Sequence, residues 1–247
     1  MSERIERVIV TGGGSGIGFD VARRFLAEGS SVVLNGRDKA RLERAAAALN
    51  AHDRVAIVAG SIAERGTARR LVEAAQERFG GVDVLVNNAG IFGAKPFLET
   101  SEADFDRFYA TNLKGTYFVT QAAVPALIEA GGGAIVNVGT VLVEQAMTNL
   151  PISAAMASKG GVHALTVSLA AELAQHRIRV NTVAPGIIRT PLFEGGDPDA
   201  FAAIHPLGRI GEVAEISEAV LYLARSGFVT GTVLTVDGGY AHGRPTQ

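Results

Sequence analysis

A single lysine in this chain needs a chemical explanation. Lys159, in "SAAMASKGG" (153–161), is the only Lys, Arg, Asp or Glu between Glu144 and Glu172, and it stands among small residues where a helical pattern begins. An isolated cation in such a setting implies a specific partner. One turn earlier is Ala155, which can neither give nor take a proton. Glu144 is the one ionisable group in the segment "VLVEQAMTNLPIS" (141–153): kept protonated by burial it could act as an acid, and solvated it is an ordinary loop carboxylate. Thr148, Ser153 and Ser158 carry hydroxyls nearby, with Ser153 placed to cap the helix. Tyr109 suits a core or an interface, and His163, one turn beyond Lys159, suits helix packing, a subunit contact or a second-site role. The other histidines, His52, His176, His205 and His242, have no metal-ligand spacing, and no metal site is expected.

A second group of residues can bind phosphate. "TGGGSGIG" (11–18) follows an apolar run and opens a helical pattern, with Gly12, Gly16 and Gly18 in the spacing T-G-x-x-x-G-x-G. Glycines there let the chain turn sharply and bring backbone N–H groups to a pyrophosphate at the positive end of the helix. "NNAG" (87–90) places the amides of Asn87 and Asn88 at a strand end, with Ala89 and Gly90 leaving room for a flat ligand. "APGIIRTP" (184–191) ends another apolar run in the same manner. Three small-residue strand ends on one edge point to a ligand.

The elements that position these groups are legible as alternation. "RVIVTGG" (7–13), "SVVLNG" (31–36), "RVAIVAG" (54–60), "VDVLVNNAG" (82–90), "GAIVNVG" (133–139), "IRVNTVAPG" (178–186) and "TVLTVDGG" (232–239) read as strands, and their continuous apolar character suits strands covered on both faces. Helices are expected at about 16–28, 38–50, 64–79, 101–130, 153–175 and 211–225. Val162, Leu165, Leu169 and Leu173 recur with helical spacing. Such β-α alternation predicts an α/β protein with a parallel sheet and helices on both faces. No repeat or linker interrupts it, so residues 1–247 read as one domain. The Gly/Pro-rich stretch "FEGGDPDAFAAIHPLGRIG" (193–211) reads as a surface excursion, and a loop at about 189–210 is expected to cover a ligand.

Taken together, "TGGGSGIG", "NNAG", Asn112 in "TNLKG", Lys159 in "ASK", "RVNTVAPGIIRTP" and "VDGG" resemble the classical short-chain dehydrogenase/reductase family, in order, from about residue 5 to 240. The resemblance implies a doubly wound Rossmann sheet of seven strands in the order 3-2-1-4-5-6-7. It also implies a dinucleotide site built from Gly12, Ser15, Gly16, Ile17 and Gly18, from Ser61 and Ile62, from Asn88, Ala89 and Gly90, and from Pro185, Gly186, Ile188, Thr190 and Lys159. In relatives an asparagine, a serine, a tyrosine and a lysine carry the chemistry. Asn112 and Lys159 match; Thr140 stands at the serine position and Ala155 at the tyrosine position. Thr140 and Ala155 are fifteen apart, about two more than is usual in the family, so the intervening loop is rebuilt. Asn112, Thr140 and Lys159 are therefore the expected catalytic residues, with no phenol.

After the second strand, Gly36 replaces the aspartate that NAD-preferring relatives carry, and Arg37 follows. An arginine attracts a 2′-phosphate that a carboxylate would repel, so NADP(H) is expected over NAD(H). Arg37 is alternatively a surface residue at a helix start, with Asp38 as N-cap, and Ser61 departs from the family's adenine-directed aspartate. The expected function is an NADP(H)-dependent oxidoreductase of a small carbonyl, alcohol or activated alkene; the alternative is a silent dinucleotide-binding sensor, scaffold or partner subunit. A net charge of -2, with no basic stripe, argues against nucleic acid. There are no cysteines, no evident signal peptide and no apolar run long enough to span a bilayer, so a cytoplasmic protein is expected. The helices at 101–130 and 153–175 resemble those that pair subunits in relatives, which implies a homotetramer or homodimer.

Overall fold

The uninterrupted apolar runs divide their side chains between two cores. In the computed structural model, which describes residues 5–191 and 197–243, seven of them are strands: β1 (Arg7–Val10), β2 (Ser31–Gly36), β3 (Val55–Ala59), β4 (Val84–Asn87), β5 (Gly133–Val138), β6 (Ile178–Pro185) and β7 (Val233–Val236). Val8 and Val10, Val32 and Leu34, Val84 and Val86 enter one core, whereas Ile9, Val33 and Leu85 enter the other. A period of two places alternate residues on opposite faces, and a strand covered twice needs apolar residues at both. The sheet is parallel throughout, in the order 3-2-1-4-5-6-7 expected from the family resemblance.

The first core is covered by α1 (Gly16–Ala27), α2 (Lys39–Leu49) and the late helix Val213–Arg225, through Phe25, Leu42 and Val220 among others. The second is covered by α3 (Arg65–Phe79) and two helices described next. The segment expected as one helix over 101–130 is not continuous. It consists of α4 (Glu102–Phe108), a π-helical stretch Tyr109–Gly115, and α5 (Thr116–Glu129). The stretch carries Asn112, which is 1% exposed and turned inward. Its carbonyl accepts the Thr116 hydroxyl at 2.8 Å, so the wider turn is stabilised where the regular ladder is lost; such bulges recur at functional sites. The next helix, α6 (Ser153–Leu173), carries Lys159, and the late helix Val213–Arg225 is α7. Ser153 does not cap α6: Ile152 precedes the helix and no side chain caps it. Asp38, by contrast, caps α2 by accepting the Arg41 N–H at 3.0 Å.

A buried polar ladder ties the strand ends together. Asn87 on β4 donates to Thr120 Oγ1 and to Asn137 Oδ1, both at 2.9 Å. Asn137 on β5 donates to Thr166 Oγ1 on α6 at 2.9 Å, and the hydroxyls of Thr166 and Thr182 on β6 lie 2.7 Å apart. The Asn87 amide is therefore spent inside the sheet rather than offered at its edge, contrary to the expectation from "NNAG".

Between β6 and α7, the pieces Ile188–Arg189 and Gly211–Glu212 pair in parallel. Arg189 bonds Asp199 at 2.6 Å and Glu212 at 3.0 Å. These contacts tie down the described parts of the excursion expected at 189–210; residues 192–196 lie outside the described residues. No described helix is long and apolar enough to cross a membrane.

Because Asn137 bonds across two strands and a helix, Asn137→Ala strands buried partners on both sides. The expected cost is about 2–4 kcal/mol, read as a lower urea midpoint at unchanged m-value. A midpoint shift equivalent to less than about 0.5 kcal/mol would show that the ladder does not hold the strands.

Candidate functional site

The carboxyl ends of β1 to β4 and of β6 open on a cleft of about 590 Å³. It lies where the strand order reverses beside β1, the usual ligand position in an open α/β sheet. Gly12, Ser15, Gly16 and Ile17 form its floor, Gly36, Arg37, Ser61 and Ile62 one end, and Asn88, Ala89, Gly90 and Thr190 the other side. Most of the residues that the resemblance assigns to the dinucleotide thus line one space. Gly18, Lys159, Pro185, Gly186 and Ile188 are not among the lining residues. Pro185 is buried in the end of β6, and Ile188 lines a separate small cavity with Leu207 and Arg209.

The turn after β1 is glycine-rich because Asn88 packs on it. Asn88 Nδ2 donates to the carbonyls of Thr11 and Gly12 at 3.0 and 3.1 Å. A Cβ on Gly18 would come within 2.5 Å of that nitrogen and of Gly12 O, and Gly12 has φ +67 with Asn88 Nδ2 2.8 Å from where its Cβ would be. The Asn88 Nδ2 therefore latches the turn, while the residue still lines the cleft. The gain is an open helix end: no side chain caps the first turn of α1, and no acidic residue stands in it. Its N–H groups and the positive end of the helix dipole are left for an anion.

At one end of the cleft two guanidiniums project, Arg37 and Arg41, both exposed. Arg41 was not singled out from sequence; its position one turn into α2, behind Arg37, was the signal available. Asp38 lies between them, but its carboxylate is committed to the Arg41 backbone N–H, which also holds it below the usual carboxylate range. Ser61 accepts the Ala63 N–H at 3.3 Å.

Lys159 reaches the inner wall of the cleft. Nζ donates to Val138 O at 2.7 Å and lies 3.1 Å from where a Cβ on Gly90 would stand, beside Asn112 Oδ1. Glycine at 90 is what permits that approach. Burial pushes the Lys159 ammonium down to about 8. Asn112 is fully engaged: Oδ1 accepts the Ile91 N–H at 2.8 Å, and Nδ2 donates to Ile91 O at 3.0 Å and to Ser158 Oγ at 2.9 Å. Ser158 in turn donates to Ala155 O at 2.7 Å. Thr140 Oγ1 accepts the Leu142 N–H at 3.3 Å, which leaves its own O–H to donate.

The other proton-bearing neighbours point elsewhere. Glu144 faces His242 at 3.8 Å on the surface. Tyr109 is 46% exposed and stacks on Phe105. His163 is packed behind Gly139, its Nε2 buried and unpartnered, and burial together with the Lys159 charge keeps its pKa low. Ala155 is 1% exposed, so no open space surrounds its methyl.

Sequence reading missed the C-terminal clasp on the rebuilt loop. Tyr240 and Ala241 pack with Val141, Leu142, Met147, Leu150, Ile152 and Met156, and the Tyr240 hydroxyl donates to Gln145 O at 3.3 Å. The Tyr240 ring lies against His205, whose Nε2 accepts the Ile187 N–H at 3.3 Å while Nδ1 lies 3.0 Å from Phe201 O. Among the described residues no cluster of His, Asp and Glu could hold a metal ion.

Burial of Lys159 leaves a pH signature. The unfolded side chain keeps its proton to 10.5, whereas the folded one releases it near 8. Between those values the unfolded state binds more protons, so stability rises with pH; below 8 the penalty is fully present. Relative to Lys159→Met, the ligand-free protein is expected to gain about 1–3 kcal/mol from pH 7.5 to pH 10.5. Parallel stability–pH curves for the two proteins would contradict it.

Comparison with known proteins agrees with this arrangement. Residues 12–241 match the family model described as Enoyl-(Acyl carrier protein) reductase. The chain is 40% identical over 242 residues to a galactitol 2-dehydrogenase (L-tagatose-forming) of Cereibacter sphaeroides, covering 94% of this chain and 93% of that one. It is 37% identical over 241 residues to the 3-oxoacyl-(acyl-carrier-protein) reductase of Thermotoga maritima, covering 94% and 96%. Among solved structures, the 3-ketoacyl-(acyl-carrier-protein) reductase of Brucella melitensis complexed with NADH superposes with a TM-score of 0.89 at 34% identity, over 95% of this chain and 97% of that one. With matches running almost end to end in both sequence and fold, the chain belongs to the short-chain dehydrogenase/reductase family, whose members are NAD(P)-dependent oxidoreductases.

Proposed function

We propose that this protein is an NADP(H)-dependent oxidoreductase of a small, largely apolar carbonyl or alcohol, or of an activated double bond, with an atypical active site. The observation that carries the reading is one cleft with an uncapped helix N-terminus in its floor, paired arginines at one end and, behind Gly90 in its wall, the half-buried Lys159. The first turn of α1 suits a pyrophosphate, Arg37 and Arg41 suit a 2′-phosphate, and Lys159 suits the nicotinamide-side ribose. When bound, the dinucleotide supplies or accepts hydride. Thr140, with its hydroxyl free to donate, polarises the substrate oxygen. Asn112 joins the segment after β4 to α6 and holds the two together. The apolar cluster around Met147, Met156 and Tyr240 favours an apolar substrate. The acyl-carrier-protein substrates named for two of the relatives fit an elongated version of the same class.

In this reading Ala155 stands where relatives carry their tyrosine, and its buried methyl also favours a second reading, a dinucleotide-binding protein that does not turn over. The exposed Phe105, Tyr109, Tyr117 and Val167 lie on α4, the adjoining π-helical stretch, α5 and α6. They support self-association through these helices as a homodimer or homotetramer.

Fluorescence titration separates the cofactors. Arg37→Ala is expected to weaken NADPH about 10- to 100-fold and NADH by less than about 3-fold; equal weakening would sink the 2′-phosphate assignment. Absorbance at the nicotinamide band, followed across ketones, alcohols and enones, then separates the two functional readings. Tight NADPH binding with no oxidation by any carbonyl or enone leaves the silent reading standing.

A further inference from the structure

We propose that Lys159, besides its place at the ribose, is the general acid of this site and protonates the substrate oxygen itself, through at most one water. The proposal rests on the oxidoreductase reading above and on what surrounds the reacting end of the cleft. Nζ touches the cleft wall at Gly90 and spends a single N–H on Val138 O, so two donors remain. The strand end that supplies this carbonyl also supplies Thr140, whose free O–H would hold the same substrate oxygen.

No described element packed around the site offers a competing acid. The π-helical stretch presents Asn112, an amide already saturated. The segment after β4 presents Gly90, and β5 a carbonyl. On α6 itself Ala155 has no proton, Ser158 is committed to Ala155 O, and His163 is turned behind Gly139 and kept neutral. From the rebuilt loop Glu144 faces His242, and from the C-terminal segment Tyr240 donates to Gln145 O. The ionisable residues lining the cleft are Arg37, Asp38 and Arg41, all at its far end. Among the described residues this leaves one ionisable group at the site.

Its chemistry is suited to the task. A lysine whose ammonium is pushed down to about 8 by burial is charged at neutral pH yet gives up its proton readily, which is the poise a catalytic acid needs. The step balances without a further reagent. The carbonyl carbon accepts hydride from the reduced dinucleotide, the C=O π pair moves to oxygen, and that oxygen takes the proton from Nζ. The neutral amine left behind regains a proton from solvent.

The test uses the whole protein with NADPH. The chain has four lysines, Lys39, Lys95, Lys114 and Lys159, so 13Cε-lysine labelling gives few resonances, and Lys159→Arg assigns the one of interest. In the NADPH complex Lys159 is expected to titrate between about pH 7 and 9; a midpoint above about 10 overturns the proposal. Single-turnover NADPH oxidation by 9,10-phenanthrenequinone and by 1-phenyl-1,2-propanedione provides the kinetic arm. The rate is expected to fall about 30-fold from pH 7 to pH 9.5 along the NMR titration. Lys159→Arg keeps a cation for the ribose but cannot release a proton, so it should bind NADPH within about 5-fold of wild type while turning over at least about 100-fold more slowly. Turnover by Lys159→Arg at the wild-type rate, or a flat wild-type pH profile, overturns the proposal and leaves the oxidoreductase reading intact. NADPH binding with no oxidation of either diketone or of any compound in the wider panel by wild type overturns both.

Discussion

The site depends on the polar ladder that crosses β4, β5 and β6 inside an otherwise apolar sheet. Asn87, Asn137, Thr166 and Thr182 bond side chain to side chain over three strands and α6. Buried amides and hydroxyls are costly unless paired, and once paired they admit few alternative arrangements. The ladder therefore sets the height at which each strand ends. Asn88 begins where β4 stops and latches the glycine turn; Gly90 follows β4 closely and meets Lys159, whose Nζ bonds Val138 O at the end of β5. A slip of one residue in β5 would put Asn137 on the wrong face and carry Thr140 away from the cleft. Stability and function share this constraint, because the residues that lock the register stand next to those that face the ligand.

Much of this was legible in the residues because it follows from period and from small side chains. Apolar runs with turn residues after them mark all seven strands, and the glycine turn, Arg37 and Gly90 line one cleft. The parts that were not legible depend on contacts between distant segments. Asn87 looks like a ligand group in "NNAG", yet its amide is consumed by Asn137, fifty residues away, while Asn88 Nδ2 latches the turn at Thr11 and Gly12. The break in the helix at Tyr109–Gly115 leaves no periodic trace, since it exists to bring Asn112 to Ile91 and Ser158. His205 and Tyr240 gave no motif at all. Their positions become meaningful only once the C-terminal segment is folded against Ile187 and Gln145.

The loop between β5 and α6 carries packing of its own. Its apolar side chains Val141, Leu142, Leu150 and Ile152 form a small core of their own with Tyr240 and Ala241, and Pro151 O accepts the Lys95 N–H at 2.7 Å. The loop is thereby fastened at both sides, and Ala155 beneath it is sealed from solvent. A tyrosine at 155 would have to displace this packing, an overpacking of the kind that costs about 1–3 kcal/mol, so the alanine and the loop are parts of one arrangement. The consequence falls on Lys159. Where a phenol stands beside the ammonium, the cation stabilises the phenolate and the phenol handles the proton. Here Val138 O is the bonded neighbour and, among the described residues, no carboxylate pairs with Nζ, so burial acts on the ammonium without compensation. A lysine held in that way gives up its proton more readily than one with a charged partner beside it.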